Sequence, residues 1–233
     1  MVHLIVGYGE VGQGLDKVLG GNSLVVDPDK GFMGVNPKGE EPNVVHICIP
    51  PIEDFDEVVN RYKKPGVLII VHSSVAVGTC DRLGVVHSPI RGVHPNMAEG
   101  IQTFVKYFGG KDAEKAANIF SELGLIVKVF PEARTTEALK LWDTTQYGFL
   151  IMLEKYVHKW CEDNAIDFDA IYTEANRDYN EGYRALGRPE VVRPYLKHYP
   201  GLIGGHCVVP NGKLLDSDLD FDAEVREIEP DAK

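Results

Sequence analysis

His3-Leu-Ile-Val6-Gly7-Tyr8-Gly9-Glu10-Val11-Gly12 is the stretch whose reading decides the fold. A short apolar run suited to a buried strand meets three spaced glycines, and an amphipathic pattern from Val11 to Leu19 follows. Each glycine has a mechanical use. Gly7 permits a tight turn, Gly9 lets the backbone approach a pyrophosphate, and Gly12 lets the helix pack on the strand, so that the helix N-terminus faces the phosphates. Asp27 closes the next apolar run, Leu24 to Val26, twenty residues beyond Gly7. A carboxylate there accepts ribose hydroxyls and repels a 2′-phosphate, which predicts NAD over NADP. The expected cofactor-binding residues in this unit are Gly7, Tyr8, Gly9, Glu10, Val11, Gly12 and Asp27.

Outward from this unit the same alternation continues. Further strands are expected at Val44 to Ile49, Val67 to Val71, Val85 to His87, Phe104 to Phe108 and Ile126 to Phe130, with helices at Phe55 to Tyr62, Val77 to Leu83 and Ala113 to Leu123. Val- and Ile-rich strands separated by helices imply an α/β fold with a doubly wound, mostly parallel Rossmann sheet. Lys30 to Pro42 carries three Gly and two Pro and reads as a loop. From Glu132 to Asp163 there is no Pro, and apolar residues recur at helical spacing, which predicts one long helix. Helical character returns over Asp169 to Ala185, and a loop follows from Gly187 to Gly205. The expected organisation is a dinucleotide-binding domain over 1–130, a smaller all-helical domain over 131–215 and an acidic tail over 216–233.

Composition narrows the function classes. The 233 residues carry a formal net charge of −11 and are 44% hydrophobic, the balance of a soluble globular protein. Asp216 to Lys233 holds eight carboxylates against two bases, more than half the net charge, and reads as a solvated terminus. With an acidic surface and no basic cluster, nucleic acid is not an expected partner. No apolar run approaches bilayer length, so neither a signal peptide nor a membrane span is expected. Cys48, Cys80, Cys161 and Cys207 are widely spaced, with no CxxC pair, which predicts reduced thiols and a cytoplasmic protein.

A second motif carries chemistry: Pro200-Gly201-Leu-Ile-Gly204-Gly205-His206-Cys207. Consecutive glycines let a ligand approach the backbone and leave the thiol without bulky neighbours on one side. This segment resembles the nucleophile segment of the UDP-glucose and GDP-mannose dehydrogenases. Other parts fall in the same order: Ile47-Cys-Ile49-Pro50, Ser73-Ser74-Val-Ala-Val-Gly78-Thr79, Ser88-Pro89, and Glu137-Ala-Leu-Lys140-Leu. The resemblance spans residues 1 to about 212 and leaves no room for the family's third, nucleotide-holding domain. It implies an NAD-dependent enzyme that oxidises a primary alcohol of a sugar or sugar nucleotide to a carboxylate. Cys207 would form a thiohemiacetal, Lys140 would stabilise its alkoxide, and Ser74 would help hold the hydrolytic water. Ile49, Pro50 and Ser73 would join the cofactor site. The chain departs from the pattern at Thr144, where the family has Asn, and at Asn211, where it has Asp. The family's Glu falls on His94, or on Glu99 if the loop is longer, so either is a candidate base for thioester hydrolysis.

Two alternatives remain open from the residues. Lys140 alone serves a single-hydride, hydroxyacid-type dehydrogenase, and the lost Asn, Asp and Glu suit a non-catalytic NAD-binding regulator. His72 and His87, at the ends of neighbouring strands, and His94 in the next loop offer three imidazoles at the edge where such sheets place ligands, but this spacing is not diagnostic and no metal is expected. Trp142, Tyr147, Leu150, Tyr156 and Trp160 spread around the long helix, which calls for burial on more than one side. The corresponding helix of the resembled family forms a dimer, so the resemblance implies a homodimer through residues 132–163, the alternative being that the remaining helical segments of the same chain cover it.

Overall fold

Every strand anticipated from the apolar runs forms, most of them with ends shifted by a residue or two. In the computed structural model, residues 1–34, 39–92, 95–198, 200 and 208–215 are described. The chain runs β1 (His3–Val6), α1 (Glu10–Val18), β2 (Leu24–Asp27), β3 (Phe32–Met33), β4 (Val44–Ile47), α2 (Phe55–Arg61), β5 (Leu68–Val71), α3 (Thr79–Leu83), β6 (Val86–His87), α4 (Met97–Thr103), β7 (Lys106–Gly109), α5 (Ala113–Glu122) and β8 (Val127–Phe130). The long helix α6 (Ala133–Asp163) follows, then a π-helical turn (Asp169–Glu174), α7 (Ala175–Ala185) and α8 (Val208–Leu214).

The eight strands form one sheet in the order β3-β2-β1-β4-β5-β6-β7-β8. Pairing is parallel except at the β2–β3 and β6–β7 seams. Two expectations change. The stretch read as a loop after Lys30 contains β3, because Phe32 and Met33 add an edge strand antiparallel to β2. Phe104, read as the start of a strand, instead caps α4, a helix whose short amphipathic turn was not expected.

Alternating side chains send the strand residues to two cores, as the pleat requires. On one face Ile5, Val44, Ile70, Val86 and Phe108 pack with Leu15, Ile101 and Phe120. On the other, Leu4, Val45, Ile69 and Val71 pack with Phe55, Val59, Leu83 and Ala133.

The chain divides into two compact units, Met1–Lys140 and Leu141–Lys233. The division lies inside α6 rather than at Pro131, because Ala133, Thr136 and Glu137 in the first turns of the helix are wholly buried with the sheet unit. Within the second unit, Met152 and Val208 are buried together, with Phe149, Ile151 and Val209 against them. Among the described residues no helix is long and apolar enough to cross a membrane. The acidic segment 216–233 lies outside the described residues.

Candidate functional site

The glycine turn takes the form its spacing predicts. Gly7 adopts φ +91°, and a Cβ there would lie 2.8 Å from the carbonyl oxygen of Cys48. A Cβ on Gly12 would sit 2.1 Å from the Gly7 carbonyl oxygen, so only glycine lets α1 start this close to β1. Gly9, by contrast, has open space on its Cβ side and caps α1 with no side chain in the way. Glu10 and Val11 open the helix, and Val11 packs against the core. The four unsatisfied N–H groups of a helix start make such a cradle suitable for a pyrophosphate.

Asp27 is held in place by the same turn. The Tyr8 backbone N–H donates to Asp27 Oδ2 at 2.8 Å, while Lys30 Nζ and Gln13 Nε2 donate to the Tyr8 carbonyl oxygen at 2.6 and 2.9 Å. The Tyr8 hydroxyl donates to Asp16 Oδ2 at 2.8 Å, and this bond, followed by burial, raises the phenol above its usual range. One carboxylate of Asp27 is thereby oriented at the end of β2, where a ribose would be read.

At the neighbouring strand ends, Ser73 Oγ donates to the Ile49 carbonyl oxygen at 2.5 Å, tying the segment after β5 to Ile49 and Pro50 after β4. Ser74 is half-buried beside it. The imidazole of His87 bridges Thr136 Oγ1 at 2.8 Å and the Ser73 carbonyl oxygen at 3.1 Å. Burial lowers His87 to about 3, with the charges of Lys106 and Lys140 acting in the same direction. Lys140 is thus within electrostatic reach of this strand edge, half-buried at the end of the first unit. His72 and His87 do not form a metal site: both nitrogens of each ring are engaged, and the rings belong to opposite faces of the sheet.

Glu137, quoted only as part of a motif, has a definite structural task. Its wholly buried carboxylate accepts the backbone N–H groups of Gly78 and Cys80, at 2.5 and 2.7 Å, and so caps α3. The service is returned by Asp81 of α3, which accepts from the N–H groups of Ala133 and Arg134 at the start of α6, at 2.8 and 3.1 Å. Burial pushes Asp81 up, yet these bonds together with the Arg134 guanidinium hold it below the usual carboxylate range.

In the second unit the two positions that depart from the resembled pattern meet each other. Asn211, buried on α8, donates from Nδ2 to Thr144 Oγ1 at 3.2 Å. Glu99 is exposed in the first turn of α4. Cys207, His206 and His94 lie outside the described residues. The free thiols described are Cys48, Cys80 and Cys161; burial pushes Cys48 up to about 12 and Cys80 higher still, which leaves both as unreactive thiols.

By sequence the chain matches no known family profile and no curated protein. By structure it is similar to the UDP-D-ManNAc dehydrogenase of Pyrococcus horikoshii, with a TM-score of 0.71 at 18% identity over 98% of this chain and 68% of that one. The UDP-N-acetyl-mannosamine dehydrogenase of Staphylococcus aureus gives 0.69 at 21% identity over 99% and 68%. The 3-hydroxyisobutyrate dehydrogenase of Mycobacterium tuberculosis gives 0.55 at 15% identity over 84% and 77%. The chain therefore has the fold of the nucleotide-sugar and hydroxyacid dehydrogenases.

Proposed function

We propose that this protein is an NAD-dependent oxidoreductase that converts a primary alcohol of a sugar or sugar nucleotide to a carboxylate. The observation that carries the reading is the turn itself: an open backbone at Gly9, a helix start behind it, and Asp27 fixed by the Tyr8 N–H. These residues fit a dinucleotide, with Gly7 to Gly12 holding the pyrophosphate, Asp27 the adenosine ribose, and Ile49, Pro50 and Ser73 the strand ends beyond. NAD, when bound, supplies the hydride acceptor. The dehydrogenase fold of the structural neighbours supports the same class.

The thiolate of Cys207 adds to the aldehyde carbon, and the carbonyl oxygen becomes an alkoxide stabilised by the Lys140 ammonium. Loss of a second hydride from that carbon to the nicotinamide acceptor would leave a thioester, and water cleaves it to a carboxylate and the free thiol. Ser74 holds that water, with His94 or Glu99 as its base, and Asn211 serves as a hydrogen-bonding group in place of a charge. Oxidation of a limiting alcohol then yields two NADH per substrate in the parent and one in Cys207→Ser. A yield of one in both proteins replaces this mechanism with a second reading, a single hydride transfer served by Lys140. That reading is favoured by the place of Lys140, half-buried and within electrostatic reach of His87 at the strand edge. Calorimetric titration reports on the cofactor separately, with NAD binding more tightly than NADP; the reverse order would remove the role given to Asp27.

The functional unit is a homodimer through α6. Trp142, Tyr147, Leu153, Tyr156 and Trp160 are exposed, and the last three follow the three- and four-residue spacing of a helix seam. Sedimentation of the parent as a dimer, and of Tyr156→Glu as a monomer, is the expected result.

A further inference from the structure

Three histidines that play no part in the proposed chemistry form a continuous line inside the sheet unit. His3 Nδ1 lies 3.0 Å from His46 Nε2, and His46 Nδ1 lies 3.0 Å from His72 Nε2. His72 Nδ1 lies 2.7 Å from the carbonyl oxygen of Ser88 and 3.4 Å from the ammonium nitrogen of Lys106. The rings come from three adjacent parallel strands. Because Ile5 pairs with His46 and His46 with Ile70, each crossing advances two residues toward the carboxyl edge and stays on one face. Phe120 of α5 packs edge-on against His46 and His72 and shields them.

The hydrogen atoms in this line are determined by its inner end. A carbonyl oxygen only accepts, so His72 carries its proton on Nδ1 and presents a bare Nε2 to His46. His46 must then donate from Nδ1, and its bare Nε2 must receive the Nδ1–H of half-buried His3. The line of bonds suits neutral rings, and burial, the largest cause, keeps each below the usual imidazole range. At the inner end Lys106 Nζ reaches Ser88 O at 2.8 Å, Ser88 Oγ at 2.6 Å and Pro89 O at 3.0 Å. Burial, the largest cause, holds Lys106 well below the usual lysine range. Because Ser88 Oγ already donates to the Tyr107 carbonyl oxygen, three acceptors stand ready for the three hydrogens of the ammonium that forms when a proton arrives. The ionisable groups that face Lys106 are His72 and His46 on the neighbouring strands, Cys48 after β4, His87 on β6 and Lys140 on α6; no carboxylate acts on it among the described residues.

The geometry points to a proton path: His3, His46 and His72 pass protons between the amino end of β1 and the buried amine of Lys106. On the inward stroke a solvent proton binds His3 Nε2, and the Nδ1 proton of each ring moves to Nε2 of the next. The Nδ1 proton of His72 then moves to the neutral amine of Lys106. Each transfer breaks one N–H bond and forms another, and one proton enters for one delivered. Afterwards every ring holds its proton on Nε2, which is the arrangement that carries a proton outward. The return stroke restores the first state with no ring rotation in the packed core. The path stands independently of whether a dinucleotide binds; it lets the charge beneath the carboxyl edge follow solvent pH without opening the sheet.

Exchange of the Lys106 Nζ hydrogens with water, followed by NMR on protein with 15N-lysine and 15N-histidine, tests the path without any substrate. The parent is expected to show Nδ1–H tautomers at all three rings, and Nζ exchange at least tenfold faster than exchange of the β7 backbone amides. His3→Gln keeps a donor to His46 but cannot relay, and should slow Nζ exchange at least tenfold while the β7 amides stay unchanged. His46→Gln should do the same and serves if the first variant is poorly folded. An Nε2–H tautomer at His72, Nζ exchange no faster than the β7 amides in the parent, or exchange unaffected by His3→Gln overturns the proposal.

Discussion

Two buried sites of the sheet unit, one on each face, surround their ionisable groups with opposite kinds of partner. On the face of α2 and α3, Glu137 is wholly enclosed, yet its two oxygens meet backbone N–H groups at a helix start, so a carboxylate is matched there by donors that carry no competing proton. On the face of α5, His46 and His72 meet each other and a carbonyl oxygen, partners that suit neutral rings and oppose charged ones. The contrast shows that burial does not by itself define the setting of an ionisable group. The hydrogen-bonding partner matters as much, because it either replaces the water that would stabilise an ion or fails to.

Acid is the strongest way to break this comparison. His46, His72 and His87 are lowered by burial, His87 to about 3, from an ordinary value of 6.5. Below pH 6.5 the unfolded chain takes up protons that the folded chain refuses, so the stability contributed by these neutral rings is complete above that pH and is lost as pH falls toward their folded values. Each ring contributes about 1.4 kcal/mol of loss per pH unit, or about 4 kcal/mol for the three by pH 5.5. Urea unfolding midpoints measured from pH 7.5 to pH 5 should fall steeply, and a flat profile would refute neutral burial of the three rings.

Substitution of the caps gives the next largest effect. Glu137→Ala strands two backbone N–H groups and leaves a gap, and should cost about 3 kcal/mol in denaturant unfolding near neutral pH. Asp81→Ala, at the less buried end of the reciprocal pair, should cost about 1 kcal/mol, as for an ordinary lost cap. Equal losses at the two sites would mean that enclosure contributes nothing to the cap. The smallest effect belongs to the second unit. Asn211→Ala removes one neutral hydrogen bond to Thr144 and should lower stability by about 1 kcal/mol or less, a change read as a small shift in thermal midpoint.

Some of this was open to reading from residues alone. The Gly7 to Gly12 turn, Asp27 beyond it, and the run of the long helix are local patterns, since strand, turn and helix follow each other within a few residues. Strand direction was harder. The two-residue strand β6 and its antiparallel neighbour β7 carry no local mark of their pairing, and α4 is too short for its periodicity to declare itself. Glu137 looked like one member of a catalytic motif because the N–H groups it caps lie 57 and 59 residues away.

The amino-acid sequence determined the sheet's alternation, the glycine turn and the acidic residue that ends β2, because each depends on backbone sterics and hydrophobic period within a short window. Tertiary structure alone decided that His3, His46 and His72, separated by 43 and 26 residues, would share one line of hydrogen bonds, and that Thr144 would meet Asn211. The physical reason is register. Side chains on neighbouring parallel strands come together only after the ladder has chosen its offset, and a shift of one residue would have sent every one of those imidazoles to the opposite face.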